Sequence, residues 1–275
     1  MKIWLNGSLA DEEAACVSPA DHGLLVGDGV FETLRCYGGA PFALEDHLGR
    51  LEAGTRALGL EPPGRVLLRK ATRAVIEANG LADARMRITL TSGAGPPGLV
   101  RPGTRPTLLV SAQPLVPWPP TATAIVSRWR RDQDSPLSGV KTISLVESVM
   151  ALTEARASGA SEAILLNLRS DVCEASTANV FVVRGERVET PSLGSGCLAG
   201  ITRERVLRLS SGAEAELPAT VLQEADELFL TSSTREVQPL VELDGRPVGT
   251  GQPGAVTRRL AEAYRESVLA ELHLE

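Results

Sequence analysis

Apolar positions along the chain recur with two periods, and the change from one period to the other marks out the elements. Residues 44–60 carry Leu44, Leu48, Leu51 and Leu58 at helical spacing, and Pro62-Pro63 ends the run. Residues 66–79 predict a second helix, with Gly80 where a left-handed C-terminal cap belongs. Residues 2–5 predict a strand that ends in Asn6-Gly7, a strong hairpin signal. Residues 30–37 place Val30, Phe31, Thr33, Leu34 and Tyr37 on alternating sides of a strand closed by Gly38-Gly39. Further strands are predicted near 86–91, 107–112, 124–127, 163–167, 180–183 and 228–231. Further helices are predicted over 145–158, from about 202, and over 256–272.

Prolines divide this series. Pro114, Pro117, Pro119 and Pro120 fall within seven residues, and proline blocks both helix continuation and central strand pairing. The division expected is a domain over 1–115, a proline-rich linker over 116–123, and a larger domain over 124–275. Strands and helices mix without regular βαβ alternation, which points to an α+β fold rather than a doubly wound sheet.

Composition narrows the function. Of 275 residues 43% are hydrophobic, enough for a sizeable core, yet no stretch approaches the roughly 18 apolar residues of a membrane span. Residues 1–7 lack the basic start and long apolar run of a secretory signal, so a cytoplasmic protein is expected. A net charge of -6 and 3% aromatic residues argue against a nucleic-acid partner. Cys16, Cys36, Cys173 and Cys197 lie far apart, and with only three histidines no metal site is expected; the thiols are read as buried and reduced.

Gly93-Ala94-Gly95-Pro96-Pro97-Gly98 fits the spacing of a dinucleotide-binding loop. That loop needs free N–H groups opening a helix, and Pro96 and Pro97 remove two donors, so a turn-rich segment is expected instead. Three other features point to chemistry. Lys141 follows Ser138-Gly139 and precedes a helix. Glu174 lies among small and apolar residues, where a carboxylate is costly without a cationic or protonated partner. Gly200-Ile201-Thr202-Arg203 opens a helix whose amides, with the Thr202 hydroxyl, suit a phosphate.

The order of these pieces carries more than any one of them. Glu174-x-Ser176-x-x-Asn179-Val180-Phe181, then Val188-x-Thr190, then Leu198-x-Gly200-Ile201-x-Arg203 resembles the signature of class IV aminotransferases, the fold-type IV pyridoxal-phosphate enzymes. The resemblance extends to Asp21-His22-Gly23, Gly27-Asp28-Gly29-Val30-Phe31-Glu32-Thr33, His47-Leu48-Gly49-Arg50-Leu51, Val140-Lys141-Thr142 and Leu230-Thr231-Ser232-Ser233-Thr234. It implies two domains, a small N-terminal α/β one and a larger one built on a pseudo-barrel sheet, in a homodimer.

It also implies roles. Lys141 matches the lysine that forms a Schiff base with the cofactor aldehyde and then moves the proton. Glu174 matches the carboxylate on the protonated pyridine nitrogen. Arg50 matches the arginine on the cofactor phosphate, with Ile201, Thr202 and Ser233 completing the phosphate cup. Arg87 matches a basic residue that meets a substrate carboxylate, and Phe31, Thr33 and Thr234 are expected on the substrate side. His47 is read as structural.

Within the family the substrate stays open. Leu145 and Phe229-Leu230-Thr231-Ser232-Ser233-Thr234 are similar to D-amino acid aminotransferases, although an Arg-x-His pair is missing from residues 93–106. Thr33 is similar to 4-amino-4-deoxychorismate lyases, whereas Pro97 stands where some lyases carry arginine. The leading expectation is transfer of an amino group between a small amino acid, D-amino acids favoured, and a 2-oxo acid. A lyase releasing pyruvate and 4-aminobenzoate is the alternative, and a branched-chain L-amino acid aminotransferase the third.

Overall fold

The protein is described from a computed structural model, and the residues described are 1–101, 103 and 105–274. The chain forms two compact units, Met1–Val116 with Val140–Ser144, and Pro117–Gly139 with Leu145–Glu275. The two units meet along the chain at Val116 and Pro117, inside the proline-rich segment. One segment differs: Val140–Ser144, expected in the C-terminal domain, packs with the first unit, and Lys141 goes with it.

The first unit contains β1 (Lys2–Leu5), β2 (Ser8–Asp11), α1 (His22–Val26), β3 (Gly29–Tyr37), β4 (Ala40–Pro41), α2 (Leu44–Ala57), α3 (Arg65–Asn79), β5 (Ala84–Thr91) and β6 (Thr107–Pro114). Its strands form one antiparallel sheet in the order β2-β1-β6-β5-β3-β4. Asn6 and Gly7 make the two-residue β1–β2 turn, both at positive φ. One face of the sheet packs Leu34, Met86, Ile88 and Val110 against Leu48 and Leu51 of α2 and Leu68 and Val75 of α3. Each such side chain contributes about 1.5–3 kcal/mol on leaving water. The other face carries Phe31, Thr33 and Arg35, aligned across β3–β5 with Thr89, Arg87 and Arg85. The alternating strand period separates the two faces.

The second unit contains β7 (Ala122–Arg131), α4 (Val146–Ala157), β8 (Glu162–Asn167), β9 (Val172–Ala175), β10 (Asn179–Arg184), β11 (Arg187–Pro191), α5 (Ile201–Ser210), β12 (Ala213–Ala215), α6 (Val221–Glu224), β13 (Glu227–Ser232), β14 (Glu236–Leu243), β15 (Arg246–Pro247) and α7 (Ala255–Leu272). Its mixed sheet runs β12-β11-β10-β13-β14-β7-β8-β9, with β15 on β14. Three pairs are parallel: β7–β8, β7–β14 and β11–β12.

Chain connectivity forces this sheet to curl. β9 and β10 stand five strand steps apart, about 24 Å on a flat sheet. Only residues 176–178 join them, and that connection spans at most about 15 Å. The edge strand therefore swings back toward β10, which yields the curled half-barrel expected of the larger domain. Val180, Val182, Ile164, Leu228 and Leu230 fill its interior. Among the described residues no helix is long and apolar enough to cross a membrane.

Candidate active site

In the first unit the glycines of Gly27-Asp28-Gly29 make a seat for the segment that carries Lys141. Phe31 N donates to Lys141 O at 2.9 Å, and Ile143 N and Thr142 Oγ1 both donate to Gly29 O at 3.0 Å. Ser144 Oγ donates to Gly27 O at 2.9 Å. Backbone comes so close here that a Cβ on Gly29 would collide with Leu90 O and sit 3.0 Å from Ile143 Cδ1. Gly27 has φ +71°, left-handed backbone that a side chain resists.

The seat brings four of the expected residues together. Lys141 Nζ lies over the Phe31 ring, 4.5 Å from its centroid, and the Arg87 guanidinium lies over the same ring at 3.9 Å. Thr33 pairs with Arg87 across β3–β5, and Arg87 Nε donates to Thr89 Oγ1 at 3.1 Å. Arg87 is pushed down from the usual arginine range by burial first and by the charge of Arg85 second. This polar patch on the sheet face away from α2 and α3 thus holds two cations and one aromatic ring.

Arg50 belongs to the helix-covered side. Its Nε and Nη2 donate to Glu32 Oε1 and Oε2 at 2.8 and 2.7 Å, a bidentate pair, and His47 Nδ1 lies 2.7 Å from Glu32 Oε2. A carboxylate only accepts, so Nδ1 is the protonated ring nitrogen. Glu32 has no exposed side-chain surface. Burial alone would raise its pKa, but Arg50 and His47 outweigh that and hold it at about 2. Burial lowers the pKa of His47, against the pull of Glu32, and favours the neutral ring. His47 is therefore a hydrogen-bond partner of Glu32. Glu32 itself was not singled out from the sequence. Its signal was an acid sharing a strand face with Val30, Leu34 and Cys36, opposite two polar residues three apart on a helix.

In the second unit Glu174 sits on β9 with its carboxylate fixed from two sides. Arg131 Nη2 donates to Oε1 at 3.2 Å, and Leu198 N donates to Oε2 at 3.0 Å. The same Leu198 accepts from Asn179 Nδ2 through its carbonyl at 2.8 Å. Asn179 in turn lies so near Gly200 that a Cβ there would overlap its amide oxygen. Glu174, Asn179, Leu198 and Gly200 are thus one packed unit, which explains their ordered spacing. Arg131 was missed because it lies at the end of a strand predicted to stop at 127.

α5 begins at Ile201 behind Gly200, whose lack of a side chain leaves the helix N-terminus without a side-chain cap. Ile201 and Thr202 are both buried, and Thr202 Oγ1 lies 3.4 Å from Tyr264 OH. Arg203 turns away from this end; it donates to Pro191 O at 2.7 Å and to Glu214 at 3.0 Å, tying α5 to β11 and β12. Ser233 and Thr234 form the turn between β13 and β14. Buried Thr231 Oγ1, at the end of β13, has no hydrogen-bond partner among the described residues.

The remaining motifs hold loops. Asp21 accepts from Gly23 N at 2.8 Å, Thr91 Oγ1 at 3.0 Å and Thr107 Oγ1 at 2.6 Å, and His22 Nε2 lies 2.9 Å from Pro96 O. The Gly93-x-Gly95 segment opens no helix; Ala94 bridges Asp21, and bends follow from Pro96 onward. Among the described residues no cluster of His, Cys, Asp and Glu could hold a metal ion.

This donor set fits a phosphorylated pyridine aldehyde. There is a lysine on an aromatic platform, a carboxylate held from two sides, a ten-residue helix with an uncapped N-terminus, and a buried hydroxyl without a partner among the described residues.

The comparisons with known proteins agree. The family description "Amino-transferase class IV" matches residues 29–243. D-alanine aminotransferase of Bacillus licheniformis is 30% identical over 98% of this chain and 98% of its own. The branched-chain aminotransferase of Thermoproteus uzoniensis, solved with norvaline, superposes with a TM-score of 0.92 at 35% identity, covering 98% of this chain and 95% of that one. A T.th. branched-chain amino acid aminotransferase, complexed with N-(5'-phosphopyridoxyl)-L-glutamate, gives 0.90 at 33% identity, covering 98% and 94%. With this family match, this fold and these donors, the chain belongs to the class IV aminotransferases and is a transaminase that works with pyridoxal phosphate.

Proposed function

We propose that the protein transfers amino groups between small amino acids and 2-oxo acids, with D-amino acids preferred, and that Lys141 moves the proton. The observation that carries this reading is the shared ring: Lys141 Nζ and the Arg87 guanidinium flank Phe31 within 4.5 Å of its centroid. A carboxylate bound by Arg87 would set an amino acid beside the amine that must act on its α-carbon. Pyridoxal phosphate supplies the aldehyde that takes the amine and a ring that draws electrons from the α-carbon.

The chain's own residues do the rest. Lys141 would hold the cofactor through Nζ and, once displaced by the incoming amine, would take the α-proton on Nζ and deliver it to the neighbouring carbon. Glu174 would pair with the ring nitrogen, with Arg131 and the Leu198 amide fixing its orientation. Arg50, the start of α5 at Ile201 and Thr202, and Ser233 are assigned to the phosphate. Phe31, Thr33 and Thr234 bound the substrate side. A homodimer is part of the proposal.

Adding single D- and L-amino acids to the purified protein and following the absorbance of the aldehyde form tests the assignment. D-alanine should convert the cofactor fastest, and Lys141→Ala should slow conversion by about 10²–10⁴-fold. A branched-chain reading has a specific support in the 35% identity to the Thermoproteus uzoniensis enzyme. Faster conversion by L-leucine and L-valine than by any D-amino acid would decide for it.

A further inference from the structure

Arg235 is an oddity in the second unit. It directly follows Ser233-Thr234, yet its side chain is only 2% exposed, and its partner Glu162, at the start of β8, is fully buried. Arg235 Nη2 donates to Glu162 Oε2 at 2.9 Å and to Thr177 Oγ1 at 2.7 Å. Its Nη1 donates to Gln238 Oε1 at 2.9 Å, and Gln238 Nε2 donates to Pro119 O at 2.7 Å. The Trp118 ring lies 4.0 Å from the guanidinium, and Trp118 Nε1 donates to Thr234 Oγ1 at 3.3 Å. Ser176 Oγ and Thr177 Oγ1 both donate to Glu162.

These contacts join two turns. One is residues 176–178, which separates Glu174 from Asn179; the other is Ser233-Thr234. β10 and β13 pair Asn179 with Thr231, so the strands leading into these turns are already in register. What the ladder leaves open is the height and tilt of the turns beyond the strand ends. Backbone is strained where the second turn enters β14, since Glu236 holds φ +57° without being glycine. A forked guanidinium, held at two nitrogens by three side chains, is suited to fixing that geometry in a way a single ammonium is not.

We propose that Arg235 is a positioning residue that, through Glu162 and Thr177, sets the Ser233 hydroxyl relative to Glu174 and Asn179 for binding the cofactor phosphate. This rests on the assignment of Ser233 to that phosphate. Removing the arginine alone leaves an uncompensated buried carboxylate and can unfold the protein. Two variants therefore carry the test: Arg235→Lys, and Arg235→Met combined with Glu162→Gln, which removes both charges.

Dissociation constants of pyridoxal phosphate, and of pyridoxal without its phosphate, are measured on cofactor-stripped wild type and both variants. Hydrogen exchange is followed over residues 231–236. The expected result is about a tenfold weaker grip on pyridoxal phosphate, less than twofold change for pyridoxal, and faster exchange in the turn. Affinity for pyridoxal phosphate within twofold of wild type in both variants overturns the proposal. So does equal weakening for both probes, which marks a general structural role. If wild type itself binds the two probes equally, the phosphate assignment falls and this inference with it; if wild type discriminates and both variants discriminate by the same factor, only the inference falls.

Discussion

Replacing Glu32 by glutamine keeps the shape of the side chain and removes its charge. Glu32 is fully buried, and Arg50 and His47 hold its pKa at about 2 against the ordinary 4.5, even though burial pushes the other way. A depression of that size corresponds to about 3 kcal/mol of folding stability at pH 7, at about 1.4 kcal/mol per unit. The sign follows from the lowered folded-state value. The contribution is complete above the unfolded pKa near 4.5 and is lost as pH falls toward 2. At pH 3 a little under half of it remains. Urea unfolding of the cofactor-free protein, at one protein concentration, compares wild type with Glu32→Gln at both pH values. The difference should be about 3 kcal/mol at pH 7 and about half that at pH 3. A difference below about 1 kcal/mol at pH 7, or one that does not change down to pH 3, would refute the ion-pair account of Arg50. The same variant loosens the bidentate hold on Arg50, so its affinity for pyridoxal phosphate should fall while that for pyridoxal changes little.

Gly29→Ala drives a methyl group into Leu90 O and toward Ile143, so it should cost about 1–3 kcal/mol in thermal or urea unfolding and lower kcat by displacing the Lys141 segment. Gly200→Ala should break the Asn179–Leu198 contact and weaken pyridoxal phosphate binding, read by titration of the stripped protein, with unfolding midpoint moving less than for Gly29→Ala. Thiol titration should find one fast-reacting cysteine in the folded protein and four in urea. The four were all expected to be buried, but Cys16 is exposed, whereas burial pushes Cys36 up to about 12 and raises Cys173 and Cys197 as well.

Elements with strong local signals were readable directly. α3 spans Arg65–Asn79 and closes on Gly80 at φ +59°, as its period and its glycine implied. α2 ends at Ala57 rather than at 60, because Leu58 and Gly59 turn back to Gly54 and Arg56 carbonyls. β9, β11 and β14 were not predicted. β9 has four residues, and β14 contains Pro239, which argues against a strand interior. Pro239 is tolerated because pairing with β7 starts only at Leu240, so no donor is needed there on that side. No local pattern carries that information.

The site divides the same way. Residue types and their order were enough to name the cofactor, because Lys141, Glu174 and the Gly200-Ile201-Thr202 helix start are separate pieces of one chemistry and each leaves a local trace. Alternation along 30–37 also put Phe31 and Thr33 on one side of a strand, whereas the register that sets Arg87 beside Thr33 came only with the folded sheet. What only the tertiary structure decided is which partner each charge takes. Glu32 with Arg50, Arg131 with Glu174, and Arg235 with Glu162 lie 18, 43 and 73 residues apart. A buried charge must find a partner, but solvation energy sets only that requirement; the folding of the chain chooses the residue that meets it.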